Sequence, residues 1–234
     1  MIDTLVLLPG LLNDARLYDR QRAALDSRAR RIVIPELWHQ DSVTALAQQV
    51  LAGLDGRFAL VGFSMGGYVA LELLRQAPER IERLALVDTS AQADSEAQRA
   101  RRQALIAQSA VGAFKGVTAR LLPLLIHPSR LGDGALVETL KAMAQTVGRD
   151  GFVRQQRAIL GRPDSTGLLP SVGVPTAVIC GRDDLLTPIA QSRAMAAAIP
   201  GAVLTEIEQC GHVAPLERPE AVTRALLQWL DRAD

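Results

Sequence analysis

The chain contains 234 residues, of which 48% are hydrophobic, so it can bury a substantial core in one compact domain and lacks the composition of a disordered protein. Its 26 Lys and Arg residues balance 25 Asp and Glu residues, which gives no electrostatic reason to expect nucleic acid or a membrane as a partner. No apolar run approaches the ~18 residues needed to span a bilayer, and no basic leader precedes an apolar segment. We therefore expect a cytoplasmic protein.

Short apolar segments alternate with helical segments, and the apolar segments are almost continuously hydrophobic, as strands covered on both faces must be. This rhythm predicts a mostly parallel sheet of about six strands with helices on both faces. In chain order, we predict a strand at Thr4–Leu8, a helix near Ala15–Arg28, a strand at Arg31–Ile34, a helix near Ser42–Leu54, a strand at Phe58–Gly62, a helix near Met65–Gln76, strands at Leu84–Val87 and Thr176–Cys180, a helix near Ile189–Ala198, a strand at Val203–Ile207 and a helix near Pro219–Leu230.

Residues 91–169 break this alternation, because they contain helix-forming sequence interrupted by glycine and proline but no convincing strand. Their apolar residues, such as Leu121, Leu122 and Leu124, exceed what one amphipathic helix requires. We predict a helical cap inserted over one end of a core made of residues 1–90 and 170–234.

The most specific motif is G-x-S-x-G at Gly62–Gly66, between a predicted strand and a predicted helix. A serine at such a junction occupies a tight, strained turn, in which side chains two residues before and after it would collide. Glycine at both positions removes that collision, and Gly67 allows close approach of helix and strand. The turn projects the Ser64 hydroxyl above the carboxyl end of the sheet, which makes Ser64 the candidate nucleophile. An incidental serine in a glycine-rich turn is the alternative.

A serine nucleophile needs a base within hydrogen-bond reach, and the chain offers three histidines. His39 lies in the loop after the second strand and His127 lies in the insertion, where surface, packing or pocket-lining roles suffice. His212 lies just beyond the last predicted strand, at the same sheet edge as Ser64, and is the predicted general base.

The imidazole in turn needs a carboxylate to fix its tautomer. The loop after Cys180 supplies two candidates, Asp183 and Asp184, and Asp88 is a runner-up for which a turn or cap role is simpler. The tetrahedral intermediate needs two N–H donors, which we assign to Met65 at a helix N-terminus and to Leu11 in the loop after the first strand.

Together these segments resemble the α/β-hydrolase superfamily over nearly the whole chain. In relatives the G-x-x-D phrase carries the triad acid, which selects Asp184, and the order Ser, Asp, His is that of the family. Relatives commonly carry His-Gly at the oxyanion loop, where this chain has Pro9-Gly10. The chain begins at what resembles the third strand of the family fold, which implies six parallel strands rather than eight mixed ones. The matching segments are Leu8–Leu12, Gly62–Gly66, Gly181–Asp184 with Thr187-Pro188, and Gly211-His212 with Leu216–Pro219.

The resemblance to small lidded esterases, enol-lactonases and C–C bond hydrolases implies a serine hydrolase. We expect it to cleave a small carboxylic ester, lactone or thioester through an acyl-enzyme, with a small-molecule substrate beneath the leucine-rich cap. One alternative is a C–C bond hydrolase or lyase, which would use a fixed cation such as Arg154, Arg157 or Arg162. The other is a non-catalytic small-molecule receptor on the same fold.

No zinc site is expected, because the chain has three histidines and two cysteines without C-x-x-C or H-E-x-x-H spacing, and no cofactor is predicted. Its two cysteines, Cys180 and Cys210, provide no disulfide framework and fit the role of buried apolar residues.

Overall fold

The computed structural model describes residues 1–111 and 114–232. Within them, six strands form one parallel sheet in the order β2-β1-β3-β4-β5-β6, which confirms the predicted sheet. The strands are β1 (Ile2–Leu8), β2 (Ala29–Val33), β3 (Phe58–Phe63), β4 (Ile81–Val87), β5 (Thr176–Gly181) and β6 (Val203–Ile207).

The sheet divides the apolar core into two clusters, because alternate side chains of a strand point to opposite faces. In β1, Leu5 and Leu7 belong to one cluster, whereas Val6 and Leu8 belong to the other. All four side chains are fully buried, which explains why the central strands are hydrophobic at every position.

Nine α-helices lie in the described residues, and none of them is long and apolar enough to cross a membrane. The apolar residues of α2 and α3 belong to the cluster that contains Val6 and Leu8, while those of α9 belong to the cluster that contains Leu5 and Leu7. The helices are α1 (Asp19–Leu25), α2 (Val43–Ala52), α3 (Met65–Gln76), α4 (Glu96–Ser109), α5 (Leu122–Leu125), α6 (Gly134–Leu160), α7 (Ile189–Ala198), α8 (Ala214–Glu217) and α9 (Pro219–Leu230).

Two predicted boundaries were wrong near the start of the chain. The helix expected near Ala15–Arg28 is a 3₁₀ turn, capped by the Asp14 side chain, followed by the shorter α1. The second strand begins two residues earlier than expected, because Ala29 pairs with Ile2 of β1 and the Ile2 N–H donates to the carbonyl of Arg28. Pairing partners therefore override the local sequence signal here.

The segment at 91–169 contains α4, α5 and α6 and no strand among its described residues. Gly148 interrupts α6 with φ 67° and ψ −178°, a conformation that glycine adopts at little cost. Many apolar residues of this segment, including Leu140, Met143 and Phe152, join the same cluster as Leu5 and Leu7 of β1, while Ile159 joins the other cluster. The segment therefore packs directly onto the core, and its role as a cap stays a prediction.

Candidate active site

Ser64 lies between β3 and α3 in a strained backbone conformation, with φ 51° and ψ −117°. Three hydrogen bonds stabilise this conformation. The Ser64 N–H donates to Val87 O at 3.0 Å, and its carbonyl accepts from Gly67 N at 2.9 Å and from Thr89 Oγ1 at 2.7 Å. These contacts with surrounding residues hold the strained turn in place, and the turn presents the Ser64 hydroxyl at the carboxyl edge of the sheet. No sequence motif had indicated the contribution of Thr89.

Glycine at position 66 allows the first turn of α3 to lie against the loop after β1. A Cβ placed on Gly66 would be 2.2 Å from Leu8 O and 2.7 Å from Pro9 O, both of them backbone atoms. This close approach brings Met65, at the start of α3, next to the segment that carries Leu11.

We expect Gly66→Ala to lower the free energy of unfolding by about 2–3 kcal/mol, because the new methyl group would force apart two backbone segments that have no flexible end to move. Gly53→Ala is the matched control, since the nearest atom to its Cβ would be Val50 O at 3.7 Å. Urea denaturation measures both changes. Equal stabilities of the two variants would contradict the steric argument.

Ser64, His212 and Asp184 form one hydrogen-bonded chain across three loops. The Ser64 Oγ lies 2.9 Å from His212 Nε2, and His212 Nδ1 lies 2.8 Å from Asp184 Oδ2. The imidazole and the carboxylate are buried, whereas Ser64 is partly exposed. Because an ionised carboxylate only accepts, Nδ1 carries the imidazole proton and Nε2 is free to accept from the serine hydroxyl.

The carboxylate of Asp184 is held by four donors. Its Oδ1 accepts from the N–H groups of Leu186 and Thr187 at 2.8 and 3.0 Å, and its Oδ2 accepts from the Thr187 hydroxyl at 2.6 Å as well as from His212. Burial by itself would raise the pKa of Asp184, but the adjacent His212 and these hydrogen bonds lower the pKa below its ordinary value. The neighbouring Asp183 is exposed, and its carboxylate lies 3.7 Å from His127 Nε2.

Asp88, the runner-up acid, binds backbone N–H groups and not the imidazole. Its Oδ1 accepts from Gly181 N at 2.7 Å and its Oδ2 from Ala214 N at 3.3 Å, so one buried side chain joins the loops that carry Asp184 and His212. Full burial, together with the negative charge of Asp184, raises the pKa of Asp88 well above its ordinary value.

Asp88, Cys180 and Asp184 place possible ligand atoms within 4.8 Å of one another, but hydrogen bonds within the protein account for this cluster. Both carboxylates accept backbone N–H groups, and the Cys180 thiol lies 3.2 Å from Gly181 O. Burial raises the pKa of this thiol, which disfavours the thiolate that a metal requires. The residues present therefore do not fit a metal.

The two predicted oxyanion donors differ in position but share one property. Met65 is the first residue of α3, where the N–H has no partner within the helix, and Leu11 follows β1. In the part of the chain that the structure describes, neither N–H has a protein acceptor. The next residue, Leu12, donates its N–H to Gln155 Oε1 at 3.0 Å, a contact that no motif had indicated.

The remaining predicted candidates have other partners. His39 is exposed and pairs with Glu36, and His127 lies 2.8 Å from Ser129 Oγ through Nδ1. The Arg154 Nε donates to Trp38 O. Arg162 pairs with the buried Asp94 and lies over the Tyr68 ring, and Arg157 is exposed.

A loop of the 91–169 segment contacts the histidine loop directly. The N–H groups of His212 and Val213 donate to Leu125 O at 3.0 and 3.2 Å, and the His127 N–H donates to the buried Glu217 at 2.7 Å. Burial raises the pKa of Glu217. These contacts join residues 125–127 to the backbone of the loop that carries His212, and no sequence motif indicates them.

A parallel sheet with a strained serine turn at its carboxyl edge, followed in the chain by an acid loop and a histidine loop, defines an α/β hydrolase. The chain belongs to the alpha/beta hydrolase family, whose model matches residues 5–225, and it is an enzyme.

Three similar proteins have hydrolase names. A pimeloyl-[acyl-carrier protein] methyl ester esterase of Chromobacterium violaceum is 32% identical over 74% of this chain and 69% of its own length. A candidate carbamate hydrolase, RutD of Yersinia enterocolitica, is 28% identical over 97% of this chain and 87% of its own length. A thermophilic esterase structure from Thermogutta terrifontis superposes with a TM-score of 0.88 at 30% identity, covering 97% of this chain and 89% of that one. The chain is thus a hydrolase on this fold.

Proposed function

We propose that this enzyme is a serine hydrolase that cleaves a small carboxylic ester, lactone or thioester through an acyl-enzyme on Ser64. The observation that carries the proposal is the chain from Ser64 Oγ through His212 to Asp184, with distances of 2.9 and 2.8 Å. Those distances are within direct proton-transfer reach, and the pKa of Asp184 is lowered, so the acid stays ionised beside the imidazole.

In the first half of the reaction, Ser64 Oγ bonds to the substrate carbonyl carbon while its proton moves to His212 Nε2. The carbonyl π electrons move to oxygen, and the N–H groups of Leu11 and Met65 bind the resulting oxyanion. When the carbonyl re-forms, the bond to the leaving group breaks, and His212 returns the proton to that leaving oxygen or sulfur. Asp184 stabilises the imidazolium without taking its proton.

In the second half, water adds to the acyl carbon and gives a proton to His212 Nε2. The bond between the acyl carbon and Ser64 Oγ then breaks, and His212 returns the proton to the serine. The carboxylic acid leaves, and the enzyme regains its starting state. The contacts of Asp184 to two backbone N–H groups hold the imidazole in one orientation through both halves.

The substrate class is supported by partly buried apolar residues of the cluster that contains Phe63, the neighbour of Ser64 in the chain, and by the names of similar proteins. Leu11, Leu105, Phe114 and Leu125 are only partly buried and pack at the margin of the apolar cluster that contains Phe63 and Leu140. Apolar side chains of this kind suit a neutral acyl group. Two of the three similar proteins are named as esterases.

The C–C bond alternative is less well supported, because Arg154 and Arg162 donate to carbonyl oxygens of Trp38 and Gln92 and Arg162 is also paired with Asp94. A receptor would gain nothing from the strained backbone of Ser64, which stores conformational energy at the point where the nucleophile is presented.

Covalent labelling tests the proposal. We expect a fluorophosphonate to add once to the wild-type protein, on the peptide containing Ser64, and to abolish hydrolysis of p-nitrophenyl butyrate in proportion to the labelled fraction. The Ser64→Ala variant is the control for labelling at other sites. Intact mass, peptide mapping and residual activity are measured on the same samples. An active enzyme that stays unlabelled, or that keeps its activity when fully labelled, would exclude Ser64 as the nucleophile.

A further inference from the structure

Gln155 on α6 is a fully buried polar side chain that reaches the loop of the predicted oxyanion donor. Its Oε1 accepts the Leu12 N–H at 3.0 Å and its Nε2 donates to Leu37 O at 3.1 Å, so the amide joins three segments distant in sequence. Since one contact needs an acceptor and the other a donor, only one orientation of the amide satisfies both. A buried amide with both ends paired to backbone groups is a fixed support.

The backbone that Gln155 supports is a tight turn with an unfavourable residue in it. The Asn13 N–H donates to Gly10 O at 3.2 Å, which closes a four-residue turn, and Leu12 occupies its third position with φ 61°. A positive φ at that position is typical of a type II turn and favours glycine, whereas leucine adopts it only under constraint. The bond from Leu12 N–H to Gln155 supplies that constraint.

The peptide that Gln155 holds is adjacent to the one that carries the Leu11 N–H. The peptide between Leu11 and Leu12 can rotate to relieve the positive φ of Leu12. The Leu11 carbonyl then changes direction, and so does the adjacent peptide that carries the Leu11 N–H. An oxyanion donor acts only if it is aimed at the place where the charge develops, and small displacements are costly. The position of the donor therefore depends on a side chain from the 91–169 segment.

We infer that Gln155 is a positioning residue that keeps the Leu11 N–H directed at the oxyanion, so that α6 contributes to transition-state stabilisation without touching the substrate. The inference rests on the proposed function, because it assigns a support to that reaction's oxyanion hole. It predicts an effect on the chemical step and not on the protonation of His212, which is held by Asp184 on another loop.

Gln156 provides a matched control on the same helix. It is also almost fully buried, but its Oε1 accepts from Arg102 Nη1 at 3.0 Å and has no bond to the oxyanion loop. We expect Gln155→Met to lower kcat/KM for p-nitrophenyl butyrate about 10- to 100-fold, below the 10²–10³-fold loss typical of deleting a donor, because the Leu11 N–H is displaced and not removed. Gln156→Met should change it less than about threefold.

Four further measurements separate positioning from a general loss of structure. Rates are divided by the folded fraction, which is measured by near-UV circular dichroism. The loss of activity should appear in kcat and not in KM, and the dependence of kcat on pH should keep its shape. The Kd of n-butylboronic acid should rise by the same factor as kcat/KM falls, since its tetrahedral adduct uses the oxyanion hole. Should Gln155→Met not fold, Gln155→Asn, which is one methylene shorter, replaces it.

Gln155→Glu tests the bond itself, because a glutamate that keeps its proton in this fully buried position can still accept the Leu12 N–H and donate to Leu37 O. We therefore expect its kcat/KM to stay within about fivefold of wild type. The inference would be overturned if Gln155→Glu lost as much activity as Gln155→Met. It would also be overturned if Gln155→Met and Gln156→Met lost activity equally. Ser64→Ala is assayed in parallel. If Ser64→Ala is as active as wild type, the proposed function fails; if it is inactive while Gln155→Met matches Gln156→Met, only this inference fails.

Discussion

Ser64→Ala is expected to lower kcat/KM for p-nitrophenyl acetate and butyrate by about 10⁵–10⁶-fold, the range seen when a serine nucleophile is removed from a working triad. The alanine cannot form the acyl-enzyme, so His212 would have to activate water directly against the substrate. The N–H groups of Leu11 and Met65 would remain, so a residual rate above the uncatalysed reaction is expected.

The stability of this variant should change little, because the side chain of Ser64 makes one hydrogen bond, to His212, while its strained backbone is held by Val87, Thr89 and Gly67. Ser171→Ala is a suitable control, since the Ser171 hydroxyl donates only to Leu168 O at an exposed position. Initial rates and thermal melts are measured together. If the two alanine variants retained similar activity, the nucleophile would have to be sought elsewhere.

The parts of this molecule that could be predicted from the sequence depend on local patterns. The strand Phe58–Phe63 is apolar at nearly every position and runs into G-x-S-x-G, so the chain itself specifies a buried strand, a tight turn and a helix. His212 and the pair Asp183 and Asp184 could be predicted because loops after parallel strands meet at one edge of the sheet, and the resemblance to the family then selected Asp184. For these residues, the order of the strands in the sheet determines which distant parts of the chain lie close together.

The supporting contacts could not be predicted, because they join residues that share no local signal. Gln155 is 143 positions from Leu12, and nothing in the helix around it distinguishes its role from that of Gln156. The start of β2 was likewise set by its neighbour β1 and not by its own residues. Side-chain packing between distant segments decides such contacts, and the resemblance to the family does not include them.

Asp184→Asn is expected to lower kcat about 10⁴-fold, as the equivalent change does in serine-protease triads. The geometry gives a specific reason. Two N–H groups, those of Leu186 and Thr187, point at Oδ1, so the asparagine must keep its carbonyl oxygen there and turn its NH₂ group towards His212. The amide would then donate to Nδ1, which moves the imidazole proton to Nε2 and leaves no acceptor for the Ser64 hydroxyl.

Asp183→Asn is the control with the closest sequence context, because Asp183 is adjacent, exposed and directed towards His127. Its kcat should change less than about twofold, since a pair at 3.7 Å whose carboxylate is exposed contributes little. Kinetics across pH 5–9 compare both variants with wild type. If Asp183→Asn were the more damaging change, the assignment of the acid would be reversed. If Asp184→Asn kept its full rate, the carboxylate could not be setting the imidazole tautomer, and the four donors around it would serve the fold alone.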